Sequence, residues 1–148
     1  MRAVALDVDG VLGDTRPLWR DWLEDVARRS RVDLAALPED RAAAAGVLDS
    51  LVGNWRALLG RFAEDRAPVY LRPSADVSAA LRRLAGGGVR LGAFTDAPRE
   101  LAEVAASQLG ASRRLEALET GADALERLLE RLGPDAEVVH DRDAFLGL

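Results

Sequence analysis

Asp7 and Asp9 stand one residue apart at the end of an apolar run, Ala3, Val4, Ala5, Leu6 and Val8, and Gly10 follows at once. Two carboxylates pushed together repel, and a divalent cation relieves that repulsion. A continuous apolar run of this length reads as a strand buried on both faces. A parallel strand that stops in Asp-x-Asp-Gly delivers its acids to the carboxyl edge of a sheet, where open α/β folds bind ligands. Side chains alternate along a strand, so positions 7 and 9 are expected to point the same way. Gly10 lets the backbone turn sharply just past them.

Two further stretches read as strands that end in polar groups. Val89 to Phe94 stops in Thr95-Asp96, and Ala136 to Val139 stops in His140-Asp141. Between these runs the spacing predicts helices. Leu18, Trp19, Trp22, Leu23 and Val26 share one helical face, with Thr15 as cap and Pro17 in the first turn. Residues 31 to 38 read as a turn region. A second helical stretch starts near Glu39, with Leu48, Leu51, Val52, Trp55, Leu58, Leu59 and Phe62 as its stripe. Glycine costs about 1 kcal/mol against alanine inside a helix, so a break is expected near Gly46. Ala67-Pro68 should end this stretch, leaving Val69 to Leu71 extended. A helix over 74–85 follows, capped by Ser74 and stopped by Gly86 to Gly88. Helices over 99–109 and 123–132 and a short strand over 115–118 complete the order. Strands and helices alternate, apart from one helical excursion. That pattern is a parallel α/β core with right-handed crossovers.

The opening ALDVDGVLGDT resembles the first motif of the haloacid dehalogenase superfamily of hydrolases and phosphatases, and GAFTDAP resembles its second. The resemblance implies a Rossmann-like three-layer parallel sheet core, residues 1–14 and 69–148, with a small helical cap, residues 15–68. It also implies roles. Asp7 would be the nucleophile and Asp9 a general acid and base, acting on phosphorus through an aspartyl-phosphate. The Thr95 hydroxyl, with backbone N–H groups near Gly10 and Asp96, would hold the phosphoryl oxygens. Mg2+ would be bound by Asp7, by Asp9 through its carbonyl, and by Asp141. The second acid argues against dehalogenation, because a leaving halide needs no proton. The side chains of Asp96 and Arg99 read as surface or cap groups.

The remaining motifs depart from the family pattern. A lysine belongs where LETGADALERL offers Ala122 or Asp123, and the chain has no lysine: its 20 basic residues are all arginine. Arg113, Arg114 and Arg127 are the arginines considered in its place, although a guanidinium differs from an ammonium in reach and shape. VVHDRDAFLGL supplies Asp141 for the fourth motif's first acid. His140 replaces its glycine, and Phe145 or Leu146 stands where its second acid belongs, with Asp143 only two residues past Asp141. His140, the single histidine, reads as incidental. Trp19, Trp22 and Trp55 read as packing between cap helices.

Composition narrows the alternatives. With 148 residues and 49% hydrophobic content, one domain with a modest core is expected. A net charge of −5 makes no electrostatic case for nucleic acid or an anionic membrane. The absence of cysteine excludes disulfides and thiolate chemistry. No basic leader or long apolar segment is read at the N-terminus, so a cytoplasmic location is expected. The leading expectation is a magnesium-dependent phosphatase of a small phosphorylated molecule. The alternative is a catalytically degenerate relative that binds a ligand or partner. The family's fifth strand is expected to be missing, and an open sheet edge invites pairing into a homodimer.

Overall fold

A computed structural model describes residues 2–148. Its core is a parallel sheet of four strands, β1 (Ala3–Asp7), β2 (Arg90–Thr95), β3 (Ala117–Thr120) and β4 (Glu137–Val139), in the order β3-β2-β1-β4. β1 pairs with β2 on one side, Asp7 opposite Phe94, and with β4 on the other, Leu6 opposite Val139. The order reverses at β1, so the carboxyl end of β1 lies at the topological switch point.

The helices are α1 (Arg16–Ser30), α2 (Arg41–Leu51), α3 (Trp55–Tyr70), α4 (Ala75–Gly86), α5 (Arg99–Gln108), α6 (Ala124–Leu132) and α7 (Arg142–Leu146). Strand alternation sorts the core into two faces. Ala3 and Ala5 face α6 through Leu128 and Leu132, whereas Val4 and Leu6 face a layer holding Leu81, Leu109 and Phe145. The α6 face is built of small residues. A Cβ on Gly92 would stand 2.6 Å from Leu128 Cδ1, so that glycine lets α6 lie close to the sheet. At the end of β3, Glu119 is nearly buried beneath α6 and pairs with Arg127 and Arg131 at 3.3 and 3.0 Å.

The helical excursion is α1, α2 and α3, which share a separate apolar cluster around Leu18, Trp22, Leu48, Trp55 and Leu59. Trp22 and Trp55 sit 5.8 Å apart at their ring centroids, and Trp19 closes the triangle at 5.4 and 6.5 Å. The packing role expected of these tryptophans is the one seen. This cluster reaches the core through Ala97 and Leu101 of the α5 region.

Three local expectations are corrected. The helix break falls at Val52–Asn54, beside Gly53, and α2 runs through Gly46 without interruption. Asp40 caps α2 by accepting from the Ala43 N–H at 2.9 Å, and the flanking alanines offset the cost of one glycine. α3 continues through Pro68 to Tyr70. Proline this close to a helix end removes one hydrogen bond, and that last turn is held by buried Ala67 and by the Tyr70 hydroxyl donating to Asp21. β1 stops at Asp7, and Val8–Leu12 form a single π-helical turn. Strand alternation therefore does not orient Asp9.

Trp55 is buried, and its Nε1 donates to Asp49 at 2.8 Å. Replacing it with alanine removes one corner of the aromatic triangle and should cost about 3–5 kcal/mol. In urea titration the midpoint should fall at unchanged slope.

Candidate active site

The π turn after β1 positions the first acids. The Asp9 N–H donates to Asp7 Oδ1 at 3.2 Å, which folds the turn back on the strand end. Gly10 is required by a close approach: a Cβ there would fall 1.7 Å from the His140 carbonyl oxygen, where the loop after β4 crosses it. Arg142 closes the turn from the other side, donating to the Val11 and Leu12 carbonyls at 3.2 and 3.3 Å. Asp7, Asp9, Phe94, Thr95, Asp96, Asp123 and Glu126 then line one cavity of about 530 Å³, with Arg16 and Arg41 on its cap side.

Arg41 organises this cavity. It is the first residue of α2, its side chain is 4% exposed, and its guanidinium enters the site from the cap. Nη2 donates to Asp9 Oδ2 at 2.5 Å, to Asp96 Oδ1 at 2.8 Å and to Thr95 Oγ1 at 3.3 Å. Nη1 donates to Thr15 Oγ1 at 2.6 Å, and Nε to Asp96 Oδ1 at 3.0 Å. The Arg41 backbone N–H also donates to Asp96 Oδ2 at 3.3 Å, so the Asp96 carboxylate sits at the N-terminus of α2, the end that favours an anion. Burial pushes the Asp96 carboxyl up, but the hydrogen bonds and charge of Arg41 outweigh it and hold the group below the usual aspartate value.

Asp9 is held from every side. Oδ1 accepts from the Thr15 N–H at 2.8 Å and the Thr15 hydroxyl at 2.5 Å, and Oδ2 accepts from the Thr95 hydroxyl at 2.9 Å. Thr95 Oγ1 in turn accepts from the Ala97 N–H at 3.2 Å. Thr15 thus spends its hydroxyl on Asp9 and makes no side-chain cap bond to α1. The two acids lean apart: Asp9 faces the cap, while Asp7 Oδ2 lies 3.4 Å from His140 Nδ1. The His140 ring stacks edge-on against Phe94 at 5.8 Å.

Sequence reasoning put Asp7, Asp9 and Thr95 at adjoining strand ends, and the structure places all three against one cavity. Asp141 caps α7 through Oδ1, which accepts from the Ala144 N–H at 2.8 Å. Among the described residues, no group of three or more acidic, histidine or cysteine side chains is gathered as a metal cluster. Arg127 is engaged by Glu119 and by the Thr120 and Ala122 carbonyls. Arg113 and Arg114 precede β3 and so lie at the amino edge of the sheet, away from the site.

The Asp96 side chain, read as a surface or cap group, is an ion-pair partner of the cap. Arg41 and Thr15 were missed as partners of Asp9. A cation in the first turn of a helix opposes the helix dipole, but this does not single out Arg41, because Arg16, Arg99 and Arg142 also open helices.

The family model described as haloacid dehalogenase-like hydrolase matches residues 1–140. No curated protein matches the chain. The solved structures that resemble it include the following two. CbbY from Rhodobacter sphaeroides in complex with phosphate superposes with a TM-score of 0.69 at 15% identity, covering 100% of this chain and 84% of that one. A protein of Thermotoga maritima assigned as a beta-phosphoglucomutase gives 0.58 at 22% identity, covering 94% and 74%. Among the described residues, no helix is long and apolar enough to cross a membrane.

Arg41→Met leaves Asp9 nearly buried without its cation. It should destabilise the fold by up to about 3 kcal/mol, the lower end for a broken buried pair, since Asp96 is half-exposed and water screens it. Asp96 is a stronger acid in the fold than when unfolded. Its contribution is therefore complete above the ordinary value of about 3.9 and is lost as pH falls through the folded value. Urea midpoints of the wild type and Asp96→Asn should differ by a constant amount above about pH 5 and converge below about pH 4.

Proposed function

The chain belongs to the haloacid dehalogenase-like hydrolases, and from that premise we propose that it is a phosphatase of a small phosphate monoester. The observation that carries this reading is the meeting of Asp7, Asp9 and Thr95 on one cavity at the switch point of the sheet. An Asp7 oxygen attacks phosphorus, and the bond from phosphorus to the leaving oxygen breaks. Asp9 gives that oxygen its proton. Asp9 then takes a proton from the water that attacks the aspartyl-phosphate, which restores both acids.

The charge inventory says what else the reaction needs. Asp7, Asp9, Asp96, Asp123 and Glu126 line the cavity against Arg16 and Arg41, and a phosphate dianion entering there meets net repulsion. The donors at the cavity fit magnesium in type, since the Asp7 carboxylate and the Asp9 carbonyl are oxygen, whereas Asp141 lies outside the lining and its Oδ1 is taken by the Ala144 N–H. Magnesium keeps several waters and is held by one or two carboxylates with substrate phosphate, so a dedicated protein cage is not required. Bound there, it supplies positive charge to the phosphoryl oxygens.

Arg41 is the second source of charge, and it stands in for the missing lysine. As it lies, Arg41 donates to Asp9 Oδ2, and a guanidinium donates and never accepts. A proton on Asp9 requires Arg41 to exchange that carboxylate for the phosphoryl group. The Thr15 and Thr95 hydroxyls can stay, since a hydroxyl turns from donor to acceptor.

A second reading is favoured by the same contacts. With every guanidinium nitrogen already engaged by the protein, Arg41 can act as a plug in a degenerate site that binds without turnover.

With magnesium present, the wild type should release phosphate from p-nitrophenyl phosphate, and chelation or Asp7→Asn should abolish release. Magnesium should also raise the melting temperature of the wild type and not that of Asp7→Asn, a readout independent of turnover. Arg41→Ala should lower kcat/KM by about 10²–10³, the usual loss on removing a preorganised charge partner. Faster turnover in Arg41→Ala supports the plug and overturns its catalytic role.

A further inference from the structure

A second cavity, about 520 Å³, lies on the cap side of the Arg41–Asp96 ion pair. It shares Arg16, Arg41 and Asp96 with the cavity that holds the acids, so the two meet along that wall. Its lining comes from one face of α1 and from the segment joining α1 to α2. Trp19, Leu23, Leu34, Leu37 and Pro38 supply the apolar surface. Leu34 is 39% exposed, one of the few large apolar side chains in the molecule left open to solvent. Trp19 is backed by Trp22 and Trp55, so the aromatic part of the wall is rigid.

The charges around this cavity cancel. Arg16, Arg20 and Arg41 are set against Glu24, Glu39 and Asp96. Arg16 is held by Asp14 through Nε at 2.8 Å and Nη2 at 3.1 Å, and its hydrogen bond keeps the Asp14 carboxyl low. Arg41 is engaged as described. A second phosphate or carboxylate on the substrate would find no cluster of free cations here. A polyhydroxylated ring would set part of its hydroxyls against the tryptophan, leucine and proline surface, where they lose their water without replacement.

Asp9 faces the cap, so an alcohol leaving from its side is directed toward this second cavity. We infer that the cavity takes the alcohol portion of the substrate, and that this alcohol is uncharged and largely apolar, of the size of one or two fused rings. The inference rests on the phosphatase reading and gives its substrate class.

The test compares kcat/KM for 1-naphthylmethyl phosphate, methyl phosphate, glucose 6-phosphate and fructose 1,6-bisphosphate with magnesium, all alkyl esters, so that leaving-group acidity does not set the order. The expected order puts naphthyl at least tenfold above methyl, because each apolar group placed in such a pocket is worth about tenfold or more. Leu34→Asp, a change at a partly exposed position, should cut the naphthyl-to-methyl ratio about tenfold. A sugar phosphate or bisphosphate that outruns the naphthyl ester overturns the inference. Binding of naphthylmethyl phosphonate and of methyl phosphonate, by calorimetry on the wild type and Leu34→Asp, separates the two proposals. Tight naphthyl binding weakened by Leu34→Asp, with no Asp7-dependent turnover of any ester, sinks the phosphatase reading and keeps the pocket. Equal affinity for the two phosphonates sinks the pocket whatever the turnover.

Discussion

A single guanidinium joins the cap to the acids of the core. Arg41 leaves the first turn of α2 and ends among Asp9, Thr15, Thr95 and Asp96, which come from the β1 turn, the entry to α1 and the tip of β2. Removing a charge from water is costly unless its partners are close and complete, and here every guanidinium nitrogen has one. The constraint acts on both sides. The cap cannot slide without stripping Arg41 of its acceptors, and the core acids cannot crowd together without the cation between them. Asp9 is oriented by this contact rather than by strand geometry.

The rest of the charge pattern follows. The chain builds its positive sites from arginine alone, and arginine acts through a planar fork where lysine acts as a point. A fork can hold Asp9 and Asp96 at once, as Arg41 does. The place at the start of α6 where the family pattern expects lysine carries Asp123, in the left-handed conformation, with Glu126 one turn on. That side of the cavity is negative. The compensating cation therefore arrives from the cap, which makes the electrostatics of the core site depend on how the cap is seated.

Much of the fold was legible because apolar period and punctuation agree. β1 and β2 are continuous apolar runs, α4 has its Ser74 cap and glycine stop, and the strand tips carry Asp7 and Thr95. What was not legible involves long-range partners. The turn to Asp9 is a π-helical turn stabilised by Arg142 from the far end of the chain. Pro68 sits inside α3 because Asp21, on α1, holds the last turn. His140 looked incidental, and its place against Asp7 and Phe94 arises only when β4 pairs beside β1. Arg41 was one arginine among 20 in the sequence, and its place at the start of a helix did not set it apart, because Arg16, Arg99 and Arg142 open helices too.

The cap is fastened by two unlike seams. On one side α3 lies against α5, with Leu59 and Ala63 in the same apolar cluster as Ala97 and Leu101. On the other side α2 meets the core through Arg41 and Asp96. Opening the apolar seam exposes hydrocarbon to water, with nothing to replace the lost contacts. Opening the ionic seam exchanges carboxylates for water or for an anionic ligand, which can satisfy the same donors. A phosphoryl group gains from this difference, because it shifts the balance only as far as it binds Arg41 better than Asp9 does. On the phosphatase reading, the ionic seam is therefore the one whose contacts a ligand can itself replace.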